Sequence, residues 1–332
     1  MKLNKFQFLF FSGFLIIGSS SLLSSNMMMQ LFPGSAYLIP IFILPLLIIL
    51  LYIIPIKISS KKIINSFVFK IIFLLYIFIS SYLFVISYLK VTNDYFYNLT
   101  PPLIILIILL FLSLFISLYS LKDIFKIGFI ISFISICAFS LILLNSIEYD
   151  FSLITHSINL EYNYLFLLSF IYIYLDIIIN FIFISDLKIK KKNYLVLFII
   201  VIIINSFLVL KNYLFFSYEF FIQTKFPYIY KYLVYSNKSF FEHLDILYLI
   251  FITIFFIFKM AINIENSRII LKIKKNSPLI LIFIIILIIS SLISNLFDID
   301  ILIISYLMIC ASLLIVTLFI IIKIKDCWRK HE

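Results

Sequence analysis

Lys188-Ile189-Lys190-Lys191-Lys192 leads, after Asn193, into Tyr194-Leu195-Val196-Leu197-Phe198-Ile199-Ile200-Val201-Ile202-Ile203-Ile204, and the apolar character persists to Leu214. A lysine cluster abutting about 20 apolar residues marks the passage from a cytoplasmic edge into a hydrocarbon core roughly 30 Å thick. Working outward from this junction, ten such stretches can be counted: 6–25, 35–56, 66–89, 101–121, 124–145, 162–184, 194–214, 241–264, 278–296 and 299–322. Each is long enough to cross a bilayer as a helix.

The basic residues between the stretches alternate in density. Of the 26 Lys and Arg residues, 20 fall at the N-terminus, 57–70, 122–126, 186–192, 265–275 and 323–332. The intervening segments hold only Lys90, Lys211, Lys225, Lys231 and Lys238, while Lys259 lies inside a span. Positive charge accumulates on the cytoplasmic side, so both termini are expected there.

Composition narrows the function. A chain that is 65% hydrophobic and 12% charged leaves no room for a soluble catalytic domain, so residues 1–332 are expected to form one polytopic membrane domain and not an enzyme. The net charge of +11 is read as loop lysines facing anionic membrane lipid, with no nucleic-acid partner. Cys137, Cys310 and Cys327 are widely separated, as are His156, His243 and His331, and only four glycines are present. That pattern predicts no metal site, disulfide framework, phosphate loop or cofactor. The residues Met1 to Lys5 are short and weakly charged, so the first apolar stretch is read as span one and not as a cleaved signal.

Local punctuation organises the spans. Pro40, Pro45 and Pro55 lie in or at the end of span two, where neighbouring helices can re-satisfy freed carbonyls. Asn98-Leu99-Thr100-Pro101-Pro102 starts span four with proline in its first turn, and Lys122 to Lys126 reads as a tight inner turn. The segment 215–240 is aromatic but carries Glu219, Lys225, Lys231 and Lys238, which fits a piece lying at the outer interface. Ten spans divide as five and five, and an odd half-count lets the second half run inverted to the first.

Polar groups at membrane depth are costly, which makes them functional candidates. In span one, Gly13 is followed by Gly18-Ser19-Ser20-Ser21, placing half of the glycines in a single helix. This stretch either unwinds to expose backbone groups to a ligand or forms a close helix–helix contact. Asp176, within Tyr172-Ile173-Tyr174-Leu175-Asp176 of span six, has Asn180 one turn onward. Its carboxylate either binds a cation, proton or ammonium group or is neutralised by a lysine or by protonation. Lys259 in span eight either snorkels towards the cytoplasm or pairs with Asp176 across the bundle. Glu265, nearer the inner boundary, is expected to be hydrated.

These features resemble the B subunits of spore germinant receptors, the GerAB-like branch of the amino acid–polyamine–organocation superfamily. The resemblance rests on Thr224-Lys225-Phe226-Pro227-Tyr228, Phe240-Phe241-Glu242-His243-Leu244-Asp245 and Phe256-Ile257-Phe258-Lys259, with Thr100-Pro101 before span four and Ile17-Gly18 with Leu22 in span one. Departures are Ser20 at a second first-span glycine, Leu23-Ser24 at a common Leu-Pro, His243 at a position often arginine, and Ala261 at a small hydroxyl position. The resemblance implies an all-α integral membrane fold with a LeuT-like five-plus-five inverted repeat and broken first and sixth helices. It further implies a ligand site drawn from Gly18, Ser19, Ser20, Ser21, Tyr172, Asp176, Lys259 and Ala261. The expected ligand is a small nutrient such as an amino acid, the expected partners are receptor A and C subunits, and the expected location is the inner membrane of a bacterial spore. An amino-acid/cation symporter of the same fold is the alternative. A polytopic glycan polymerase or ligase fits poorly, because both arginines, Arg268 and Arg329, fall on the inner side.

Overall fold

In a computed structural model, the described residues are 3–25, 28–29, 36–53, 66–95, 101–144, 165–182, 190–214, 244–273, 282, 284–290 and 301–328, and their regular structure is entirely helical. The helices are α1 (Lys5–Ser19), continued by a π-turn at Ser20–Ser24, α2 (Ile39–Ile53), α3 (Phe67–Tyr95), α4 (Pro102–Ser117) and α5 (Leu121–Leu144). They are followed by α6 (Leu165–Ile182), α7 (Lys191–Tyr213), α8 (Leu244–Leu271) and α9 (Ile301–Trp328). The first eight coincide with the first eight expected spans, and α9 with the tenth. Most of the ninth span, 278–296, and all of the interfacial segment 215–240 lie outside the described residues.

Among the described residues, five helical stretches are long and apolar enough to cross a membrane: Lys5–Leu23, Phe67–Asn93, Lys191–Asn212, Ile246–Leu271 and Ile303–Ile321. Ile39–Tyr52, Leu103–Ser117 and Phe170–Ile179 are shorter apolar helices. The chain is built as a helical membrane protein.

The local chemistry explains several boundaries. The Gln7 side-chain oxygen accepts the Asn4 N–H at 3.0 Å, closing the start of α1. Pro102 sits in the first turn of α4, where a missing N–H costs nothing. The expected turn at Lys122–Lys126 falls instead at 118–120, because Ser120 starts α5: its carbonyl accepts the N–H groups of Asp123 and Ile124, each at 2.9 Å. Its hydroxyl also donates to the Asp123 carboxylate at 2.6 Å, while Lys126 donates to the other carboxylate oxygen at 2.9 Å. α8 ends where Lys272 takes a left-handed conformation (φ 55°), which lets the Ile273 N–H reach the Arg268 carbonyl at 3.2 Å.

The helices α1, α3, α6 and α8 occupy the middle. α1 packs against α5, α6, α7 and α8, while α8 also packs on α3, α4 and α5. α6 packs on α2 and α9, and α9 also lies along α3. Large apolar side chains point outward from the periphery, such as Ile104, Ile108, Phe111 and Phe115 on one face of α4, as a lipid-facing surface requires.

Two expectations about broken helices are corrected. Gly18-Ser19-Ser20-Ser21 does not unwind; the helix passes through it and widens into the π-turn, where the Ser25 N–H reaches the Ser20 carbonyl. Ser19 donates its hydroxyl to Leu15 O at 2.7 Å and Ser21 to Gly18 O at 3.0 Å, while the Ser20 and Ser25 hydroxyls meet at 3.4 Å. α6 is likewise continuous across Asp176. Donors from two neighbouring helices satisfy its carboxylate, so no backbone N–H has to be freed for it.

Candidate functional site: a buried ion pair between three helices

On α6, Tyr172 and Asp176 are four residues apart and so share a face. On α3, Tyr76, Ser80 and Phe84 repeat at the same interval, and on α8 so do Lys259 and Asn263. These three stripes meet inside the bundle. Lys259 donates to Asp176 Oδ2, and Tyr76 donates its hydroxyl to Asp176 Oδ1. Lys259 is fully buried, and Asp176 is 3% exposed. The snorkelling alternative for Lys259 is therefore not what forms, because Asp176 offers a counter-charge at the depth where the ammonium already lies.

A second layer completes the site. Tyr172 donates to Ser80 Oγ at 2.7 Å, and the Asn263 amide reaches Ser81 Oγ at 3.0 Å and Ser80 Oγ at 3.4 Å. The Lys259 ammonium stands 5.4 Å from the centroid of the Phe84 ring, a cation–π distance. Tyr76 and Tyr172 pack edge to face at 6.4 Å. Each charge thus has an opposite charge, a hydrogen bond and an aromatic wall, the conditions under which a desolvated pair is tolerated.

The other expected site residues are placed as follows. Gly18, Ser19, Ser20 and Ser21 are all buried in α1 and its π-turn, and Tyr248 of α8 reaches the Ser21 carbonyl at 3.5 Å. Gly18 makes the close helix contact that was the alternative to unwinding: a Cβ there would lie 2.4 Å from the Phe255 ring of α8. Ala261 is buried, but two residues beyond Lys259 it sits about 200° around the helix, away from the pair. Glu265 is a correction: it is 2% exposed and bound by Arg268, whose Nε donates at 2.6 Å, because one turn of helix brings the guanidinium back over it.

Tyr76, Ser80, Ser81, Phe84 and Asn263 were missed in the sequence. The available signal was the four-residue spacing of polar groups along otherwise apolar helices. It was masked by the abundance of Tyr, Phe and Ser throughout the chain.

As a chemical arrangement, the site sets an ammonium donor against a carboxylate acceptor inside the bundle. Comparison with known protein families, curated proteins and solved structures finds no match to this chain.

Proposed function

We propose that this chain is the nutrient-sensing membrane subunit of a spore germinant receptor, lodged in the inner spore membrane with both termini cytoplasmic and acting with A and C subunits. The observation that carries the reading is the buried Asp176–Lys259 pair, walled by Tyr76, Tyr172 and Phe84, at the meeting of α3, α6 and α8. An internal zwitterion of this kind is a natural counterpart for the ammonium and carboxylate of an amino acid.

The packing supports the five-plus-five fold in this proposal. The contact of α1 with α5 recurs five spans later as α6 with α9, the tenth span. Similarly, α8 on α5 recurs as α3 on α9, and α1 on α7 as α6 on α2. The contacts α1–α6, α2–α7 and α3–α8 map onto themselves under the same shift. Such exchange of partners is what two structurally related halves produce, and ligand sites of such folds lie between the halves.

Sensing requires a ligand that prefers one arrangement of the pair, since equal affinity for two states shifts neither. The test is the protein in liposomes, with binding of each of the common amino acids read by calorimetry and uptake read with labelled compound. Saturable binding without uptake is the expected result. Accumulation driven by an ion gradient would replace the sensor with the symporter. No binding by any amino acid would overturn both.

A further inference from the structure

We propose that Phe255 and Phe84 are positioning residues that tie the glycine–serine segment of α1 to the Asp176–Lys259 pair. A Cβ on Gly18 would lie 2.4 Å from Cγ and Cδ2 of Phe255 and 2.9 Å from its Cβ. The Phe255 Cβ is fixed to the α8 backbone, so the ring cannot simply swing aside; only a residue without a Cβ fits against it at position 18. Phe255 in turn meets Phe84 of α3 edge to face, with centroids 5.4 Å apart. Phe84 presents its ring to the Lys259 ammonium at 5.4 Å and to the Tyr172 ring at 6.4 Å. Phe84, Phe255 and Lys259 are all fully buried, so a displaced ring moves within a close-packed interior and presses on its neighbour.

Just beyond this contact α1 departs from α geometry. The π-turn at Ser20–Ser24 begins two residues after Gly18 and holds one residue more than an α-helical turn. Its relaxation to α geometry turns one side of α1 against the other by about 100°. A turn of the Gly18 side would carry the glycine away from Phe255 and, through the Phe255–Phe84 contact, alter the ring packed beneath the ammonium. By reciprocity, opening the ion pair biases the turn. The use of this coupling in signalling rests on the proposed sensing function; the coupling itself does not require a ligand.

The test uses the full chain in lipid bilayers with ¹⁵Nζ-labelled lysine, the Lys259 resonance being assigned by its loss in Lys259→Met. Gly18→Ala is expected to move that resonance by more than a linewidth, and Phe84→Leu to move it further. Gly13→Ala, on the same helix but 3.3 Å from Leu197 of α7, is expected to leave it in place. In a Phe255→Ala background the ring that the added methyl group would strike is gone, so Gly18→Ala should then cause little shift. An equal shift from Gly18→Ala with or without Phe255, or a resonance unmoved by both Gly18→Ala and Phe84→Leu, overturns the proposal. Should Gly18→Ala fail to accumulate, Phe255→Leu and Phe84→Leu are read instead, and an unmoved resonance in both overturns it equally. Because no ligand enters the measurement, this outcome is independent of whether the chain senses a nutrient.

Discussion

Removing one partner of a desolvated ion pair strands the other, and the loss is roughly 3–5 kcal/mol, whereas replacing both can be nearly neutral. Asp176→Asn and Lys259→Met should therefore each depress the melting temperature and accumulation severely, with the double variant close to wild type in both. The check is a double-mutant cycle on detergent-solubilised protein followed by size-exclusion fluorescence. Strictly additive losses would mean that the two side chains act separately. Tyr76 supplies the other donor to the carboxylate. A hydrogen bond to a charged group contributes about 1.5–3 kcal/mol, so Tyr76→Phe should lower stability by less than either charge deletion. That loss should shrink to the roughly 0.5–1.5 kcal/mol of a neutral hydrogen bond when Asp176→Asn is already present, since the amide oxygen still accepts, and the same melting assay reads it.

Two helix ends carry predictions at the scale of the element. Ser120 opens α5, and the Asp123 carboxyl is held below its usual range first by the Ser120 hydroxyl and then by Lys126. The sign follows from a depressed folded-state value. The stabilisation is fully present above the usual carboxylate range and is lost as pH falls through the depressed value. Ser120→Ala should cost about 1 kcal/mol at neutral pH as a lost cap. The gap between the two melting curves should narrow as the medium is acidified past that point; a gap independent of pH would leave only backbone capping. At the end of α8, Lys272 is the one non-glycine residue with positive φ among the described residues. Lys272→Gly relieves a cost of roughly 1 kcal/mol and should raise the melting temperature, since glycine enters this region without a Cβ clash. An unchanged or lower melting temperature would show that the entropy glycine adds to the unfolded chain outweighs the relief.

At the scale of the whole molecule, the charge partition makes a topological prediction. Cysteines placed at position 190, in the basic cluster before α7, and at position 236 should label differently in intact cells. An impermeant reagent is expected to reach 236 and not 190, as positive charge is retained on the cytoplasmic side. The reverse pattern would invert the assignment and move both termini outside.

What the sequence by itself determined follows from the membrane as solvent. Apolar runs of about 20 residues have to be helices, because lipid offers no partner for backbone N–H and C=O groups. That constraint is local, so the starts of α1 to α9 were legible within four residues, as was the first-turn proline of α4, while α3, α8 and α9 run six or seven residues past the expected span ends. Asp176 and Lys259 stood out because a charge in such a run is costly wherever the helix sits. Which partner each charge finds was decided only by tertiary packing. Asp176 and Lys259 are 83 residues apart, and Tyr76 is 100 residues from Asp176. No local pattern separates a lysine that reaches the interface from one that meets a carboxylate. The glycine–serine segment shows the same division. Weak helix propensity pointed to unwinding, but contact with Phe255 and continued backbone hydrogen bonding keep α1 helical. For a segment buried among helices, a backbone group that leaves the helix loses a partner that apolar neighbours cannot replace, and packing therefore overrides a propensity cost of at most about 1 kcal/mol per residue.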